Sequence, residues 1–297
     1  MLRDTGFHPD LRRTALFVPR RLIGRRTTPV MRALERLQGT RTPDGVDVVP
    51  LGDGAGVRVF RPAGSATPSP ALLWIHGGGY VIGRAAQDDR LCRRFVHKLG
   101  IAVASVEYRL APENPYPASL NDCYTALTWL AAQPDVDPSR LVIGGASAGG
   151  GLTAALALMA RDRGEFTPVL QLLTYPMLDD RSSSRNDLDP KRFRLWNQRS
   201  NEFGWASYLG DADASVAVPA RREDLSGLPP AWIGVGTHDL FFGEDLAYAD
   251  RLRAAGVPCD VEVVSGAFHG FDQIVPGAGV SKAFFFSQCA AMWSALG

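Results

Sequence analysis

The sequence predicts an α/β fold in which a mostly parallel sheet carries helices on both faces. Short apolar runs with β-branched residues, typical of buried strands, alternate along the chain with longer helical segments. The chain has 297 residues, 45% of them hydrophobic, which is enough for one large domain with a small cap. The formal net charge is +1, so the overall charge predicts neither a nucleic acid nor another anionic partner.

Residues 1–45 form an N-terminal segment rich in paired arginines, and residues 46–297 form the main domain. Met31, Leu34 and Leu37 recur at helical spacing, so we expect one or two amphipathic helices with arginine-rich outer faces. The segment is interpreted as a mobile cap over a pocket, a membrane-surface helix, or a plain packed helix with solvated charges. We favour the cap.

No window of the chain approaches about 18 consecutive apolar residues, and the N-terminus lacks the apolar core of a secretion signal. Four scattered cysteines without C-x-x-C spacing suit free thiols in a reducing compartment better than disulfides or a zinc site. We therefore expect a cytoplasmic protein without stable membrane insertion.

The main domain is assigned in chain order from apolar runs and turn residues. Residues 43–54 are turn-rich, and residues 56–61 alternate in the manner of an antiparallel edge strand. Strands are predicted at 71–75, 101–106, 141–143, 168–175, 231–235 and 259–264, the first three of them buried. The predicted helices are 89–99, 119–132, 152–159, 244–255 and 279–296.

Residues 179–228 interrupt this alternation with a polar stretch in which arginines and aromatic residues are interleaved. Such interleaving can bind nucleic acid, but the near-zero net charge argues against it. We predict an insertion that covers the carboxyl edge of the sheet and lines a pocket with its aromatic side chains.

A candidate nucleophile lies at the G-x-S-x-G sequence of residues 145–149, between a strand and a helix. Ser147 would occupy a sharp, strained turn, so the residues two positions to either side must lack a Cβ atom. The alternative is an imperfect match, starting at Gly144, to the G-x-G-x-x-G motif that binds dinucleotides. That motif requires an acidic residue about 20 positions after Gly149. Val169 stands there instead.

Two partners for Ser147 follow later predicted strands, in the order Ser147, Asp239, His269 that is expected of an α/β-hydrolase. The imidazole of His269 would take the serine proton, and the Asp239 carboxylate would orient and stabilise the imidazole. Asp239 is preferred to Glu244 and Asp245, which lie within the next helix. Asp272 is too close to His269 in sequence.

The consecutive glycines after His76 complete the predicted site. Glycines allow backbone N–H groups to approach a substrate oxygen closely, so Gly77 and Gly78, with the N–H of Ala148, can form an oxyanion hole. No metal or organic cofactor is expected.

From about residue 55 to its end, the sequence resembles the hormone-sensitive-lipase-like family of carboxylesterases. The shared motifs are His76-Gly-Gly-Gly-Tyr80, Tyr108-Arg-Leu-Ala-Pro-Glu113, Pro117-Ala118, Asp122, Gly145-x-Ser-x-Gly-Gly150, Gly227-Leu-Pro-Pro230, Asp239 and Phe268-His-Gly-Phe271. The resemblance implies an α/β-hydrolase fold with an eight-stranded sheet and a helical cap formed by the N-terminal segment and residues 179–228. It also implies that His76 is structural and that Arg109 and Glu113 brace the oxyanion loop.

Two departures from the family pattern bear on specificity. Ala146 precedes the nucleophile where the family usually has Asp or Thr, so neither usual subgroup is assigned. Leu240, Phe241 and Phe242 replace the usual Pro-Leu after the acid, and the phenylalanines would narrow the pocket in favour of short acyl chains.

The resemblance and the residues together predict a serine carboxylesterase that hydrolyses short- to medium-chain esters of small molecules through an acyl-enzyme. Proteins similar to this one are commonly dimers, so a homodimer is one expectation. The alternatives are a ligand-binding receptor or a lyase on the same fold.

Overall fold

The computed structural model describes residues 6–37, 43–64, 68–185 and 187–297, so residues 1–5 and 38–42 of the predicted cap segment lie outside the described residues. The strands are β1 Val46–Gly52, β2 Ala55–Phe60, β3 Ser69–Ile75, β4 Ala102–Glu107, β5 Val136–Ala146, β6 Leu170–Thr174, β7 Ala231–His238 and β8 Cys259–Phe268. The α-helices are α1 Arg12–Ala15, α2 Thr28–Leu37, α3 Asp89–Leu99, α4 Ala118–Ala131, α5 Ala148–Arg163, α6 Gln198–Leu209, α7 Ala214–Ala217, α8 Phe242–Ala254, α9 Phe271–Ile274 and α10 Gly279–Leu296. Short 3-10 turns lie at Ala85–Asp88, Asp180–Ser184 and Pro219–Arg221.

The eight strands form one sheet in the order β1-β2-β4-β3-β5-β6-β7-β8. β1 and β2 pair antiparallel, as do β2 and β4, whereas all later neighbours pair in parallel. The predicted α/β-hydrolase fold with a mostly parallel eight-stranded sheet is therefore confirmed. The parallel arrangement brings the carboxyl ends of β3, β5, β7 and β8 to the same edge of the sheet.

The core lies on both faces of the sheet because successive side chains of a strand point to opposite faces. In β3, Ala71, Leu73 and Ile75 join the cluster that contains α4, α5 and α8. Leu72 and Trp74 join the opposite cluster, which contains α3 and α10. Burial on both faces explains why the central strands are continuous apolar runs.

Two predictions at the antiparallel edge of the sheet are wrong. Residues 46–52, predicted as turns, form the edge strand β1, where Pro50 is tolerated because one side of an edge strand has no partner. β2 is consequently not an edge strand but lies between β1 and β4. Its polar residue Arg58 is buried and forms a bidentate ion pair with Asp89. Nε donates to one carboxylate oxygen and Nη2 donates to the other.

The orientation of α2 also contradicts the prediction of an arginine-rich outer face. Arg32 points inward, where Nε donates to the Val81 carbonyl at 2.7 Å and Nη2 donates to the Ala111 carbonyl at 2.6 Å. Leu34 and Leu37 point outward and are exposed, whereas Met31, the third residue of the predicted apolar stripe, packs against the core. The arginine faces inward because loop carbonyls there offer acceptors for its planar array of donors.

The insertion after β6 packs against the N-terminal segment, and hydrogen bonds join the two. Arg194 Nε donates to the carbonyl of Ala15. The N–H of Leu195 donates to the Pro19 carbonyl at 2.8 Å. Ser200 Oγ donates to the Ile23 carbonyl at 2.7 Å. The two segments therefore lie together at the carboxyl edge of the sheet. Within the described ranges, no helix is both long enough and apolar enough to cross a bilayer.

A pH-dependent stability prediction concerns Asp245 in α8, whose two carboxyl oxygens are buried without a hydrogen-bond partner among the described residues. Burial, reinforced by the nearby Glu244 and Asp239 carboxylates, raises the pKa of Asp245 well above its usual range. The folded state then retains a proton that the unfolded state loses near pH 4, so this group lowers stability as pH rises above about 4. Asp245→Asn removes the titration.

We expect the melting temperature of Asp245→Asn, relative to the wild type, to increase by about 2 °C or more between pH 5 and pH 8. The matched control is Asp250→Asn, which changes an exposed carboxylate on the same helix. A difference that stays constant across this pH range would contradict the prediction.

Candidate active site

Four loops that follow parallel strands converge at the carboxyl edge of the sheet. Gly77 and Gly78 follow β3, Ser147 follows β5, Asp239 follows β7 and His269 follows β8. Since β3 is adjacent to β5 and β7 is adjacent to β8, the fold brings these distant parts of the sequence together.

The turn at Ser147 has the strained backbone that its sequence context predicts. Ser147 has φ +58° and ψ −122°, in a region that non-glycine residues rarely occupy. A Cβ atom on Gly145 would lie 2.5 Å from the Gly149 carbonyl oxygen, and one on Gly149 would lie 2.1 Å from that of Ile75. Both glycines are therefore required for β3, the turn and α5 to approach each other.

Ser147, His269 and Asp239 form a continuous hydrogen-bonded chain. His269 Nδ1 lies 2.8 Å from Asp239 Oδ2, and His269 Nε2 lies 2.9 Å from Ser147 Oγ. Because a carboxylate can only accept, Nδ1–H donates to Asp239 and leaves Nε2 to accept from the serine hydroxyl. All three residues are buried, with Ser147 only 7% exposed.

The other carboxylates considered from the sequence serve different partners. Glu244 accepts from the N–H of Leu178 at 2.7 Å and from Ser182 Oγ, and burial raises its pKa to about 8. Asp272 accepts from Tyr175 Oη at 2.8 Å. Asp239 is thus the carboxylate that reaches the His269 ring.

Aromatic side chains surround His269. Tyr175 and Phe241 contact the imidazole edge-on, with ring centroids 4.9 and 5.2 Å away, and the Trp196 ring lies 6.5 Å away. Phe242, predicted to narrow the pocket with Phe241, instead packs against the core cluster on the α3 and α10 side of the sheet. The predicted narrowing by phenylalanine therefore rests on Phe241 alone.

The glycine loop after β3 lies directly against Ser147. A Cβ atom on Gly77 would be 3.2 Å from Ser147 Cβ, so the two backbones are in close contact. The N–H groups of Gly77 and Gly78 donate no hydrogen bond to any residue that the structure describes, and that of Ala148 opens the first turn of α5. Three donors are thus available beside the serine.

His76, implied by the resemblance to be structural, is buried behind this loop. Its Nδ1 lies 2.7 Å from the Gly77 carbonyl, and its ring stacks on that of Tyr108 at 4.2 Å. Burial lowers the pKa of His76 to about 4, so the ring is neutral near pH 7 and Nδ1–H donates to Gly77. His76 therefore orients the glycine loop from behind.

The resemblance implies that Arg109 and Glu113 brace the glycine loop, and Glu113 does so through Arg32. Arg109 binds Asp122 through its backbone N–H and its guanidinium group. Glu113 accepts from Arg32 Nη1 at 2.7 Å, and Arg32 itself holds the Val81 carbonyl, four residues after Gly77. Sequence analysis missed Arg32, whose only signal was its place opposite the apolar residues of α2.

Trp196 is a second residue that sequence analysis did not single out from the aromatic insertion. A Cβ atom on Gly79 would lie 2.1 Å from the indole, so the ring covers the third glycine of the loop. Trp196 Nε1 donates to Asn201 Oδ1 at 3.2 Å, which fixes the indole plane. The neighbouring Leu195 lies beside Gly270, so the insertion places one side chain against the glycine loop and one against the histidine loop.

No group of three or more His, Cys, Asp or Glu side chains suited to a metal ion occurs among residues 6–37, 43–64, 68–185 and 187–297. The buried serine, imidazole and carboxylate, with three backbone donors beside them, can perform nucleophilic acyl transfer.

Comparison with known proteins places these features in a family. A family model described as the α/β-hydrolase fold matches residues 72–273. The carboxylic ester hydrolase LipN of Mycobacterium tuberculosis is 37% identical over 76% of this chain and 63% of its own length. The carboxylesterase NlhH of the same species is 34% identical over 84% of this chain and 79% of its own length.

Solved structures agree over nearly the whole chain. A bacterial heroin esterase superposes with a TM-score of 0.88 at 36% identity, covering 98% of each chain. The esterase LipW from Mycobacterium marinum superposes with a TM-score of 0.85 at 34% identity, covering 98% of this chain and 96% of its own.

The glycines of the serine turn give a stability prediction. Gly149→Ala places a methyl group against two backbone carbonyls, those of Ile75 and His76, which cannot move without displacing β3. We expect a loss of about 3 kcal/mol or more, or a drop of about 10 °C in melting temperature. Gly277→Ala is the control, since its Cβ atom meets nothing within 4 Å. Equal melting temperatures for the two variants would refute the steric argument.

Proposed function

This chain belongs to the α/β-hydrolase family and is a carboxylic ester hydrolase, and we propose that it acts through a covalent acyl-enzyme on Ser147. The observation that carries the proposal is the unbroken hydrogen-bonded chain from Ser147 through His269 to Asp239. Its resemblance to hormone-sensitive-lipase-like esterases supports the same roles.

In the first half of the reaction, Ser147 Oγ attacks the carbonyl carbon of the ester. His269 Nε2 takes the hydroxyl proton, and the imidazolium that forms is stabilised by the Asp239 carboxylate. The carbonyl oxygen becomes an oxyanion that accepts from the N–H groups of Gly77, Gly78 and Ala148. Each such donor lowers the barrier by about 3 kcal/mol. The intermediate then collapses as His269 returns the proton to the departing alcohol oxygen.

In the second half, water attacks the acyl carbon of the Ser147 ester. His269 Nε2 takes a proton from the water, and the same backbone donors stabilise the second oxyanion. Collapse breaks the bond between the acyl carbon and Ser147 Oγ, which recovers its proton from His269. The carboxylic acid leaves, and no cofactor takes part in either half of this sequence.

The proposed substrates are small-molecule esters with short to medium acyl chains. Trp196 and Leu195 support this size limit because they lie against the glycine loop and the histidine loop, and Ser147 between these loops is only 7% exposed. We assign residues 1–45 and 179–228 to the cap. The hydrogen bonds that join Arg194, Leu195 and Ser200 to the N-terminal segment support this division.

We place the protein in the cytoplasm. Support comes from its thiols, since Cys92, Cys123, Cys259 and Cys289 are all free and buried. Free thiols are typical of reducing compartments.

Removing the proposed nucleophile should abolish turnover. With p-nitrophenyl acetate, we expect Ser147→Ala to lose more than about 10³-fold in kcat, because the acyl-enzyme can no longer form. The control is Ser281→Ala, which removes another buried serine hydroxyl far along the chain in α10.

An active-site-directed phosphonate should modify Ser147 in the wild type and should not modify the variant. Mass spectrometry measures the modification. Hydrolysis by Ser147→Ala at the control's rate would refute the mechanism, and no hydrolysis of any ester by wild type would favour the receptor or lyase alternatives.

Shortening Trp196 should allow the enzyme to hydrolyse esters with longer acyl chains. Across p-nitrophenyl esters from acetate to palmitate, we expect wild type to favour short chains. In Trp196→Ala, the ratio of kcat/KM for octanoate to that for acetate should rise about tenfold. The matched control is Trp293→Ala, which removes an exposed indole on α10. An unchanged chain-length profile in Trp196→Ala would exclude Trp196 as the limit.

A further inference from the structure

The helix α2 is amphipathic with its polar face turned toward the protein. Thr28 is buried, Arg32 holds the carbonyls of Val81 and Ala111, and Glu35 accepts from the Gly83 N–H at 3.3 Å. Surface helices ordinarily bury the apolar face and expose the polar one. This orientation leaves Val30, Leu34 and Leu37 toward solvent, while Met31 contacts the core.

The outer face of α2 is a ridge of large apolar side chains. Val30, Leu34 and Leu37 follow the i, i+4, i+7 spacing of one helix face and are 59%, 49% and 81% exposed. Leu16 and Phe17, in the turn that ends α1, are also exposed, Phe17 to 87%. Five of the eleven large hydrophobic residues that are exposed in the described chain thus lie within residues 16–37. Val30, Leu34 and Leu37 share one helix face, and an exposed apolar face of this kind is typical of a surface that is covered by a partner.

The charges of this segment define the partner's chemistry. Residues 11–37 contain eight arginines and one glutamate, in a chain whose formal net charge is only +1. Arg13, Arg20, Arg25 and Arg26 are exposed and form no ion pair within the part of the chain that the structure describes. The partner must therefore offer both apolar contact and negative charge.

We propose that the outer face of α2 docks on the surface of an anionic phospholipid bilayer. Apolar side chains on one face and flanking arginines are the combination that holds an amphipathic helix in the bilayer interface. A symmetric contact between two copies of the chain would instead bring the same unpaired arginines together, which like-charge repulsion opposes. The proposal goes beyond ester hydrolysis and does not depend on it.

A second basic surface, on α3 and α10, is less suited to lipid. Phe286 and Trp293 are exposed there beside arginines and a lysine. However, Arg94 stacks on Phe285 at 3.7 Å, and Lys98 lies over Phe286 at 5.2 Å. These cations already contact the rings beside them, whereas no cation–π contact with the α2 ridge occurs among the residues that the structure describes. The α10 surface therefore serves as a comparison.

Docking through α2 would bring the candidate active site close to the lipid. The inner face of the same helix contacts Val81 and Gly83, which follow the glycine loop, so the loop would lie about one helix diameter, ~10 Å, from the bilayer surface. Esters that partition into the headgroup region would then meet the cap side of the enzyme.

The test is flotation of the full-length chain with vesicles, using Ser147→Ala protein so that binding is measured without hydrolysis. Vesicles of phosphatidylcholine and phosphatidylglycerol are compared with vesicles of phosphatidylcholine alone. We expect binding to the anionic vesicles, a much weaker signal with neutral ones, and release as the salt concentration approaches about 1 M.

Two pairs of variants locate the docking face. Leu34→Glu with Leu37→Glu should reduce the partition coefficient at least about tenfold by removing the apolar contact. Phe286→Glu with Trp293→Glu, the matched change on α10, should leave it unchanged. Arg25→Glu with Arg26→Glu should reduce it about 30-fold or more, whereas Arg90→Glu with Arg93→Glu on α3 should have little effect. Thermal melting checks that each variant is folded.

Three results would overturn the proposal. The first is no binding of the parent protein to the anionic vesicles at low salt. The second is equal loss of binding in the α2 and α10 variants, or loss in the α10 variant alone. The third is conversion of a dimer to a monomer by Leu34→Glu with Leu37→Glu, measured by light scattering, which would make the ridge an interface between two copies. Ester hydrolysis by wild type is measured separately, so failure of docking leaves the proposed function intact.

Discussion

The close approach of the serine turn to β3 is the constraint on which the rest of the site depends. Ser147 holds a backbone conformation that is costly for a residue with a side chain, and the turn persists because Gly145 and Gly149 let α5 lie against the carbonyls that end β3. The same approach sets the glycine loop of Gly77 beside the serine. The close packing of the turn against β3 therefore positions both the Ser147 hydroxyl and the backbone N–H donors. Charged groups are not needed for this placement.

Buried carboxylates are numerous around this edge of the sheet, and their partners separate their roles. Asp239 meets an imidazole N–H, Glu244 meets backbone N–H groups and a serine, and Asp245 has no hydrogen-bond partner among the described residues. Burial raises the pKa of both Glu244 and Asp245, which disfavours their charged forms. Of these three side chains, Asp239 is the one that contacts His269, where a carboxylate can stabilise an imidazolium.

The N-terminal segment connects the surface of the molecule to this site through arginines that face inward. Arg32 and Arg194 each donate to several backbone carbonyls, so the loops they hold are fixed by charge-assisted hydrogen bonds rather than by apolar packing. Because the polar side chains of α2 are used in this way, its leucines are left outside. The inverted helix and the exposed ridge are thus two consequences of one arrangement.

The sequence by itself determined the fold class and the residues proposed for the chemistry. Apolar runs locate buried strands, and glycines two residues either side of Ser147 mark a turn that only glycine permits. Other features depend on contacts between distant parts of the chain, and only the tertiary structure decided them. These are the edge strand at 46–52, the place of β2 between β1 and β4, the inward orientation of Arg32, the contact of Trp196 with the glycine loop, and the packing of Phe241 and Phe242 in different places. Periodicity shows that a helix has two faces, but the choice of the buried face depends on hydrogen-bond acceptors supplied by distant loops, which no local pattern encodes.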